Sequence, residues 1–208
     1  MLDLTNTIII TQSCLGYRIY RHNSLQYNLN HMYNNPFIGV NIRLQDFLKL
    51  IINFETIRKT EPTCSISNNT IWTNQSSPVV KFQDVYIDFP HEYHNNVSIT
   101  LEKFKRRLKR MNNILEDTDK VIFIIILQNI KDIQLFNAYY HKFCKNFQFI
   151  CITPPRQSYL ITKANNVHIL TKKVSGAEKQ LNYFNLKFRS KGILARLFLH
   201  TCRRLPEK

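Results

Sequence analysis

A cysteine and a histidine have the clearest potential for nucleophilic chemistry in this chain. Cys14 follows an apolar run at 8–10 across a short polar turn, and Gly16 comes two residues later. Amide N–H groups at the start of a helix lower the pKa of a thiol and favour the thiolate. With His91 as a general base, this thiolate would transfer an acyl or glycosyl group. The turn lacks the first glycine of a nucleophile elbow, so the alternative is a buried, inert cysteine.

The same turn is a candidate phosphate-binding loop. Ser13 lies on it, and Arg18 follows within a short distance along the chain. Backbone N–H groups at the start of a helix bind phosphate well. Together these residues would hold the phosphate of a nucleotide-sugar or of a lipid-linked sugar. The alternative is that Ser13 only caps a helix.

Three arginines on a basic helix are further candidates for binding phosphate. Apolar residues spaced three and four apart predict this helix, and they are Leu101, Phe104, Leu108, Met111 and Leu115. Arg106 and Arg110 are four residues apart and share a side with Lys103. Charge runs are usually solvated, which is the simpler interpretation for Lys105 and Lys109. Arg107 lies nearer the apolar stripe, so we expect it to contact a carboxylate or a ligand.

The C-terminal stretch 187–204 has the composition of a basic amphipathic helix. Its apolar residues stand beside candidate membrane contacts, which are Arg189, Lys191, Arg196, Arg203 and Arg204. A basic residue near an anionic leaflet contributes about 1 kcal/mol of binding. The alternative is a C-terminal helix that packs on the sheet.

Elements that would position these residues follow from hydrophobic periodicity. The predicted strands are 6–12, 36–42, 79–89, 121–127 and 147–152, with shorter strand-like pieces at 159–163 and 167–172. The predicted helices are a short one at 14–21, one from Asp46, one capped by Ser98 and one at 131–145. The polar stretch 59–78 is predicted to be a long surface connection, with a short strand near Trp72.

Continuous apolar strands on either side of a helix indicate a βαβ unit and a parallel sheet buried on both faces. We therefore expect a three-layer α/β/α fold with a mostly parallel or mixed central sheet. A single domain would cover 1–186, and 187–208 would form the basic helix or tail. Ligands bind at the carboxyl ends of such strands, so Cys14, His91 and Arg107 are expected to share a pocket there.

Composition limits the partners. The 208 residues carry a formal net charge of +15, which favours anionic partners without choosing among them. Five scattered cysteines form no CxxC pair, so we expect reduced thiols in a cytoplasmic protein and no metal or cofactor. The longest apolar run, at 121–127, is too short to span a membrane. Nucleic acid is disfavoured as a partner because no recognition helix, RNP motif or zinc finger occurs.

Two blocks of the sequence are similar to a known family. The first is SCLGYRIYRHNSLQYN with YNNPFIGVNIRLQDFLKLI, and the second is IDFPHEY with EKFKRRLKR. They resemble a bacterial family catalogued as a domain of unknown function, whose members are often labelled exopolysaccharide biosynthesis proteins. The positions that match its first block are Cys14, Gly16, Tyr20, Tyr33, Pro36, Phe37 and Gly39. Those that match the second are His91, Phe104, Arg106, Arg107 and Arg110.

The chain also departs from the family pattern. Leu15 and Tyr17 replace a Trp and a second Gly, and Phe104 replaces a helix Trp. The acidic turn after the central strand is missing, and Asp132 is the only nearby substitute.

The resemblance implies a three-layer α/β/α fold and a link to surface polysaccharide. With the residues above, it leads us to expect a transferase-type enzyme of exo-, capsular or lipopolysaccharide biosynthesis or modification. Its substrate would be a phosphorylated sugar or a lipid-linked saccharide, bound in the cytoplasm or at the inner membrane face. The alternative is a non-catalytic basic module that binds nucleic acid or a partner in polysaccharide assembly.

Overall fold

The computed structural model describes residues 7–13, 34–67, 77–90, 96–117, 120–144 and 146–171. Their strands are β1 Ile8–Thr11, β2 Thr63–Ser67, β3 Ser77–Phe82, β4 Val85–Asp88, β5 Val121–Ile126, β6 Gln148–Thr153 and β7 Val167–Thr171. Their helices are α1 Leu44–Ile52, α2 Phe54–Ile57, α3 Val97–Asp117, α4 Ile130–Tyr140 and a 3₁₀-helix at Pro155–Leu160. The predicted short helix at 14–21 and the predicted tail at 187–208 lie outside the described residues.

A parallel four-stranded sheet carries the fold. Its strand order is β1-β5-β6-β7, and each neighbouring pair is parallel. The run VIFIII forms β5, which lies inside this sheet between β1 and β6. Its six-residue length and β-branched side chains favour a strand over a helix. The α/β class and the βαβ unit β5-α4-β6 are therefore confirmed.

Both faces of this sheet are buried, as continuous apolar strands require. On one face, Ile10, Phe123 and Cys151 join a core cluster to which all four described α-helices contribute. The alternate residues point to the opposite face, and Ile122 and Ile150 there are also almost fully buried.

Aromatic side chains fill the helix-covered face. Phe123 packs edge-on against Phe47 and Phe54, with ring centroids 6.1 and 5.5 Å away. It also contacts Phe147 at 5.1 Å and stacks against Phe149 at 6.1 Å. Edge-to-face pairs add about 0.5–1.5 kcal/mol each beyond their buried area. Phe123 therefore joins helices α1 and α2 to the centre of the parallel sheet.

A second, antiparallel sheet has the order β2-β3-β4. The prediction of one strand at 79–89 is wrong, because the chain turns back between Phe82 and Val85. The two-residue loop places Gln83 at a positive φ of 50°. Neither loop residue is glycine, so the sequence does not carry the usual hairpin signal. Strand β2, inside the predicted connection at 59–78, was also missed.

The segment 36–42 is a turn and not the predicted strand. Gly39 has a φ of +74°, which breaks an extended backbone. The Asn35 side chain donates to the Ile9 carbonyl at 2.7 Å and accepts from the Phe37 N–H at 2.9 Å. These two bonds hold the turn against β1. Its only ladder contact among the described residues is a single antiparallel bridge between Asn41 and Asp88.

Two smaller predictions are corrected at helix termini. Helix α3 is capped by Asn96, whose side-chain oxygen accepts from the Ile99 N–H at 3.0 Å, and not by Ser98. The strand-like piece at 159–163 begins inside the 3₁₀-helix, where Pro155 favours a helical start. The second piece, at 167–172, is confirmed as β7. No described helix is long and apolar enough to cross a membrane.

Candidate functional site

The candidate site lies at the carboxyl ends of the parallel strands, where α/β sheets bind ligands. There β1 continues into Gln12 and Ser13, β5 into Gln128 and Asn129, and β6 into a Pro-Pro pair. The Gln12 side chain accepts from the Ile126 N–H at 3.1 Å, which joins the ends of β1 and β5.

Three backbone segments meet beside Ser13. The Gln12 carbonyl accepts from the Ile42 N–H at 2.9 Å, and Asn41 exchanges two backbone hydrogen bonds of 2.9 Å with Asp88. We call Gln12, Ser13, Asn41, Ile42 and Asp88 the strand-end junction. It places the last residue of β4 at the end of β1, and so connects the two sheets.

The strand-end junction contains a buried carboxylate. Asp88 is 5% exposed and Asn41 is 8% exposed. Partners that exchange both backbone bonds place their side chains on the same face, about 5 Å apart. A buried carboxylate next to a strand end is a candidate general base or positioning group.

Ser13 is half-buried, and its carbonyl accepts from the Thr11 hydroxyl at 2.5 Å. The bond tightens the turn that follows β1 and fixes where the chain leaves the sheet. Cys14, Arg18 and His91 lie outside the described residues. The predicted pocket of Cys14, His91 and Arg107 therefore stays a prediction.

The three arginines occupy different environments on α3. Arg106 and Arg110 are exposed, whereas Arg107 is half-buried at the edge of the apolar stripe. This stripe packs on the antiparallel sheet, mainly on β2. The neighbouring Lys105 pairs with Glu61 at 2.9 Å, an exposed contact that anchors the other flank of α3.

Two contacts connect the arginine helix to β1. The ring of Phe104 lies edge-on to that of Phe37, with centroids 5.9 Å apart. Phe37 belongs to the turn that Asn35 holds against Ile9. Arg107, one helical turn after Phe104, is thus fixed relative to the end of β1 through packed, buried groups.

The start of α4 is already occupied by a carboxylate. Asp132 accepts from the Gln128 N–H at 2.8 Å and from the Asn129 side-chain amide at 3.1 Å. In return, the Asn129 side chain accepts from the Asp132 N–H. Asn129 therefore caps α4, and Asp132, the substitute for the family's acidic turn, bonds back to this cap from the first turn. The negative charge of Asp132 opposes anion binding there.

The described thiols differ in reactivity. Burial raises the pKa of Cys151 far above its ordinary value, and a smaller degree of burial raises the pKa of Cys64. Cys144 is exposed and lies before β6, away from the carboxyl ends of the strands. Within the described part of the chain, no group of three or more His, Cys, Asp or Glu side chains is placed to hold a metal ion.

Comparison with known proteins gives two matches. The model of the family described as "Domain of unknown function (DUF1919)" matches residues 1–132. An "Uncharacterized protein" of Haemophilus influenzae (strain ATCC 51907 / DSM 11121 / KW20 / Rd) is 31% identical over 134 residues. That alignment covers 62% of this chain and 55% of the relative, so the chain spans about half the length of the relative. The family match includes β1, the strand-end junction, α3 and β5.

Proposed function

The chain belongs to the DUF1919 family, a domain of unknown function, and from that premise we propose that it is a transferase-type enzyme. Its reaction would serve the biosynthesis or modification of surface polysaccharide. Its substrate would be a phosphorylated sugar or a lipid-linked saccharide, bound at the strand-end junction. The site would work in the cytoplasm or at the inner membrane face.

The observation that carries this proposal is the buried Asp88, which the backbone bonds of Asn41 and Ile42 connect to the carboxyl end of β1. A glycosyl acceptor must lose a proton from its hydroxyl group, and a carboxylate at a strand end suits that role. Ser13 begins the turn whose N–H groups are predicted to bind phosphate. One set of backbone hydrogen bonds thus connects Asp88 to Gln12, directly before that turn, which supports the proposal.

Positive charge supports the same reaction. Transfer from a phosphorylated donor builds negative charge on the leaving phosphate, and a fixed cation stabilises that charge. Of the three candidate arginines on α3, Arg107 is the one that is half-buried, and its position one turn after the packed Phe104 suits a fixed contact. The net charge of +15 would also attract an anionic substrate.

Phosphate binding is tested with inorganic pyrophosphate and isothermal titration calorimetry on the full chain. Arg107→Gln should weaken binding about 10- to 100-fold, because a hydrogen bond to a charged group contributes about 1.5–3 kcal/mol. Lys109→Gln removes the same charge from an exposed position on the same helix, and should change binding less than about threefold. Equal losses in the two variants, or no binding by the wild type, would refute the phosphate site.

Transfer is tested by incubating the chain with nucleotide-sugars and measuring the nucleotide released. Asp88→Asn should reduce release at least about 100-fold, the scale of a lost general base. Asp84→Asn is the matched control, since Asp84 is exposed in the same hairpin and pairs with Lys49. Pyrophosphate binding without any nucleotide release would instead favour the non-catalytic binding module.

A further inference from the structure

Strand β2 is an edge of the antiparallel sheet and pairs with β3 on one side. At the other edge, the N–H and C=O groups of Asp88 bond to Asn41 and so point away from β3. Residue pairs of an antiparallel ladder alternate between bonded and non-bonded. Val79, the partner of Asp88 in β3, therefore directs its own backbone groups towards β2, where its register partner is Ser65.

The open side of β2 follows from this alternation. Since Ser65 bonds to β3, its neighbours Cys64 and Ile66 direct their N–H and C=O groups away from the sheet. These outward backbone groups have no hydrogen-bond partner within the part of the chain that the structure describes. They are the groups that another strand would need to continue the ladder.

This edge lacks the usual protection against pairing. Natural edge strands are blunted by charged side chains, by proline or by a bulge. Strand β2, with the sequence TCSIS, has no charged residue and no proline, and its register with β3 runs without a bulge. Ile66 shares a face with Cys64, which packs against the core, yet Ile66 is 40% exposed. The edge therefore offers both free backbone groups and an apolar contact.

Positive charge surrounds the open edge. A strand added to β2 would lie about 5 Å from it and beside helix α3, which packs mainly on β2. The run 103–110 spreads lysines and arginines over both flanks of α3. On the opposite face of the sheet, the exposed Lys81 is the register partner of Thr63. The carboxylate of Glu61, just before β2, is already paired with Lys105.

We infer that β2 is a docking edge for an extended, acidic segment of a partner protein, which adds to the antiparallel sheet as a fourth strand. In such strand addition, main-chain hydrogen bonds supply affinity and alternate side chains supply specificity. One set of side chains would meet Ile66, and the other would lie on the face of Lys81. A second copy of this chain fits less well, because each copy carries a net charge of +15. The inference does not depend on the proposed transferase reaction.

The docking edge is tested with a fluorescent seven-residue peptide of alternating glutamate and valine, by anisotropy on the full chain. The wild type should bind this peptide, and binding should weaken as salt rises. A peptide of alternating lysine and valine should bind at least about 10-fold more weakly. N-methylation of all the valines or of all the glutamates removes alternate N–H groups, and at least one of these two peptides should lose about 10-fold in binding.

Two substitutions at one position separate the backbone from the side chain. Ile66→Pro removes an outward N–H, a place where edge strands tolerate proline, and should weaken peptide binding at least about 10-fold. Ile66→Thr is the matched control, since it keeps the N–H and a β-branched side chain, and should change binding less than about threefold. Ser65→Pro, which removes an N–H that bonds to β3, should lower the melting temperature more than Ile66→Pro does. The reverse order would mean that the Ile66 N–H belongs to the ladder, and would overturn the docking edge.

Sedimentation of the free chain distinguishes the acidic segment from a second copy. We expect a monomer. A dimer that Ile66→Pro dissociates would assign the edge to a second copy and overturn the acidic partner. The inference would also fail if the wild type did not bind the glutamate–valine peptide, if it bound the lysine–valine peptide equally well, or if Ile66→Pro and Ile66→Thr bound with the same affinity.

Discussion

Asn35 shows how a single polar residue determines a local structure that hydrophobicity does not predict. It is fully buried, and its amide pairs with one backbone group of β1 and one of the following turn. The apolar sequence around Phe37 favours a strand. The two amide bonds and the positive φ of Gly39 produce a turn instead. Nothing in the sequence alone indicates that the partner of Asn35 is Ile9, which lies 26 positions away.

Replacing Asn35 should therefore destabilise the protein. Asn35→Ala removes one hydrogen bond from the Ile9 carbonyl and one from the Phe37 N–H, and the loss of each buried partner costs about 1–3 kcal/mol. We expect urea unfolding to show a loss of about 2–5 kcal/mol for this variant. Asn113→Ala, at an exposed position on α3, should change stability by less than about 1 kcal/mol. A loss below 1 kcal/mol for Asn35→Ala would contradict the role of the two hydrogen bonds.

The cysteines give a second prediction at the scale of single residues. Thiolates react and thiols do not, and burial raises the pKa of Cys151 and, to a smaller degree, that of Cys64. Iodoacetamide at pH 8 should therefore modify Cys144 first, Cys64 more slowly and Cys151 only after unfolding. Peptide mass spectrometry measures the three rates. The same spectra report on Cys14, and its modification well below pH 8 would support the predicted thiolate.

At the scale of elements, continuous apolar runs and helical periodicity were sufficient to predict β5, β6 and α3. Each of these is long enough for one period to dominate. The hairpin β3-β4 was missed because its loop at Gln83 and Asp84 lacks glycine, asparagine and proline. Strand β2 was missed because its side chains are polar and its stability comes from pairing with β3. Tertiary pairing, and not local propensity, decides such strands.

The start of α3 gives a matched pair of substitutions. Asn96 caps this helix and Ser98 lies two residues inside it. Asn96→Ala should reduce stability by about 1 kcal/mol, the usual cost of losing a side-chain cap. Ser98→Ala should be neutral or slightly stabilising, because alanine is the better helix former. Thermal unfolding of the two variants measures both effects. A larger loss of stability in Ser98→Ala than in Asn96→Ala would mean that Ser98 is the cap, as predicted from the sequence.

The aromatic cluster gives a further prediction at the element scale. Phe123 lies on the central strand and contacts rings from α1, α2 and the segment around β6. Phe123→Ala should cost about 3–5 kcal/mol, because the surrounding elements can fill the cavity only in part. Tyr86→Ala, at an exposed aromatic on β4, should cost far less. Denaturant unfolding measures both losses of stability. Similar losses in Phe123→Ala and Tyr86→Ala would contradict the central role of Phe123 in the core.

At the scale of the whole molecule, the sequence predicted which edge of the sheet carries the candidate site. It did not predict which residues belong to that site. Ser13 and Asp88 could be placed at strand ends from the strand pattern. Asn41 could not, because its bridge to Asp88 depends on the turn that Asn35 holds in place.

The distribution of charge gives the prediction for the whole chain. If the C-terminal stretch 187–204 contacts an anionic leaflet, five basic residues there contribute about 1 kcal/mol each near the surface. The full chain should then sediment with phosphatidylglycerol vesicles and less so as salt rises. In the test variant, glutamine replaces the five basic residues of this stretch, which are Arg189, Lys191, Arg196, Arg203 and Arg204. In the control variant, glutamine replaces five exposed lysines of the described part of the chain, which are Lys59, Lys109, Lys131, Lys142 and Lys163.

Both variants lower the formal net charge from +15 to +10, so general attraction to the vesicles falls equally. We expect the tail variant to lose at least about 100-fold in binding and the control less than about 10-fold, because only charges within a Debye length of the leaflet contribute strongly. Equal losses of binding in the two variants would mean that vesicle binding depends on net charge alone. A lower melting temperature in the tail variant would favour the alternative that this stretch is a helix packed on the sheet. It would also contradict the proposal of a peripheral membrane enzyme.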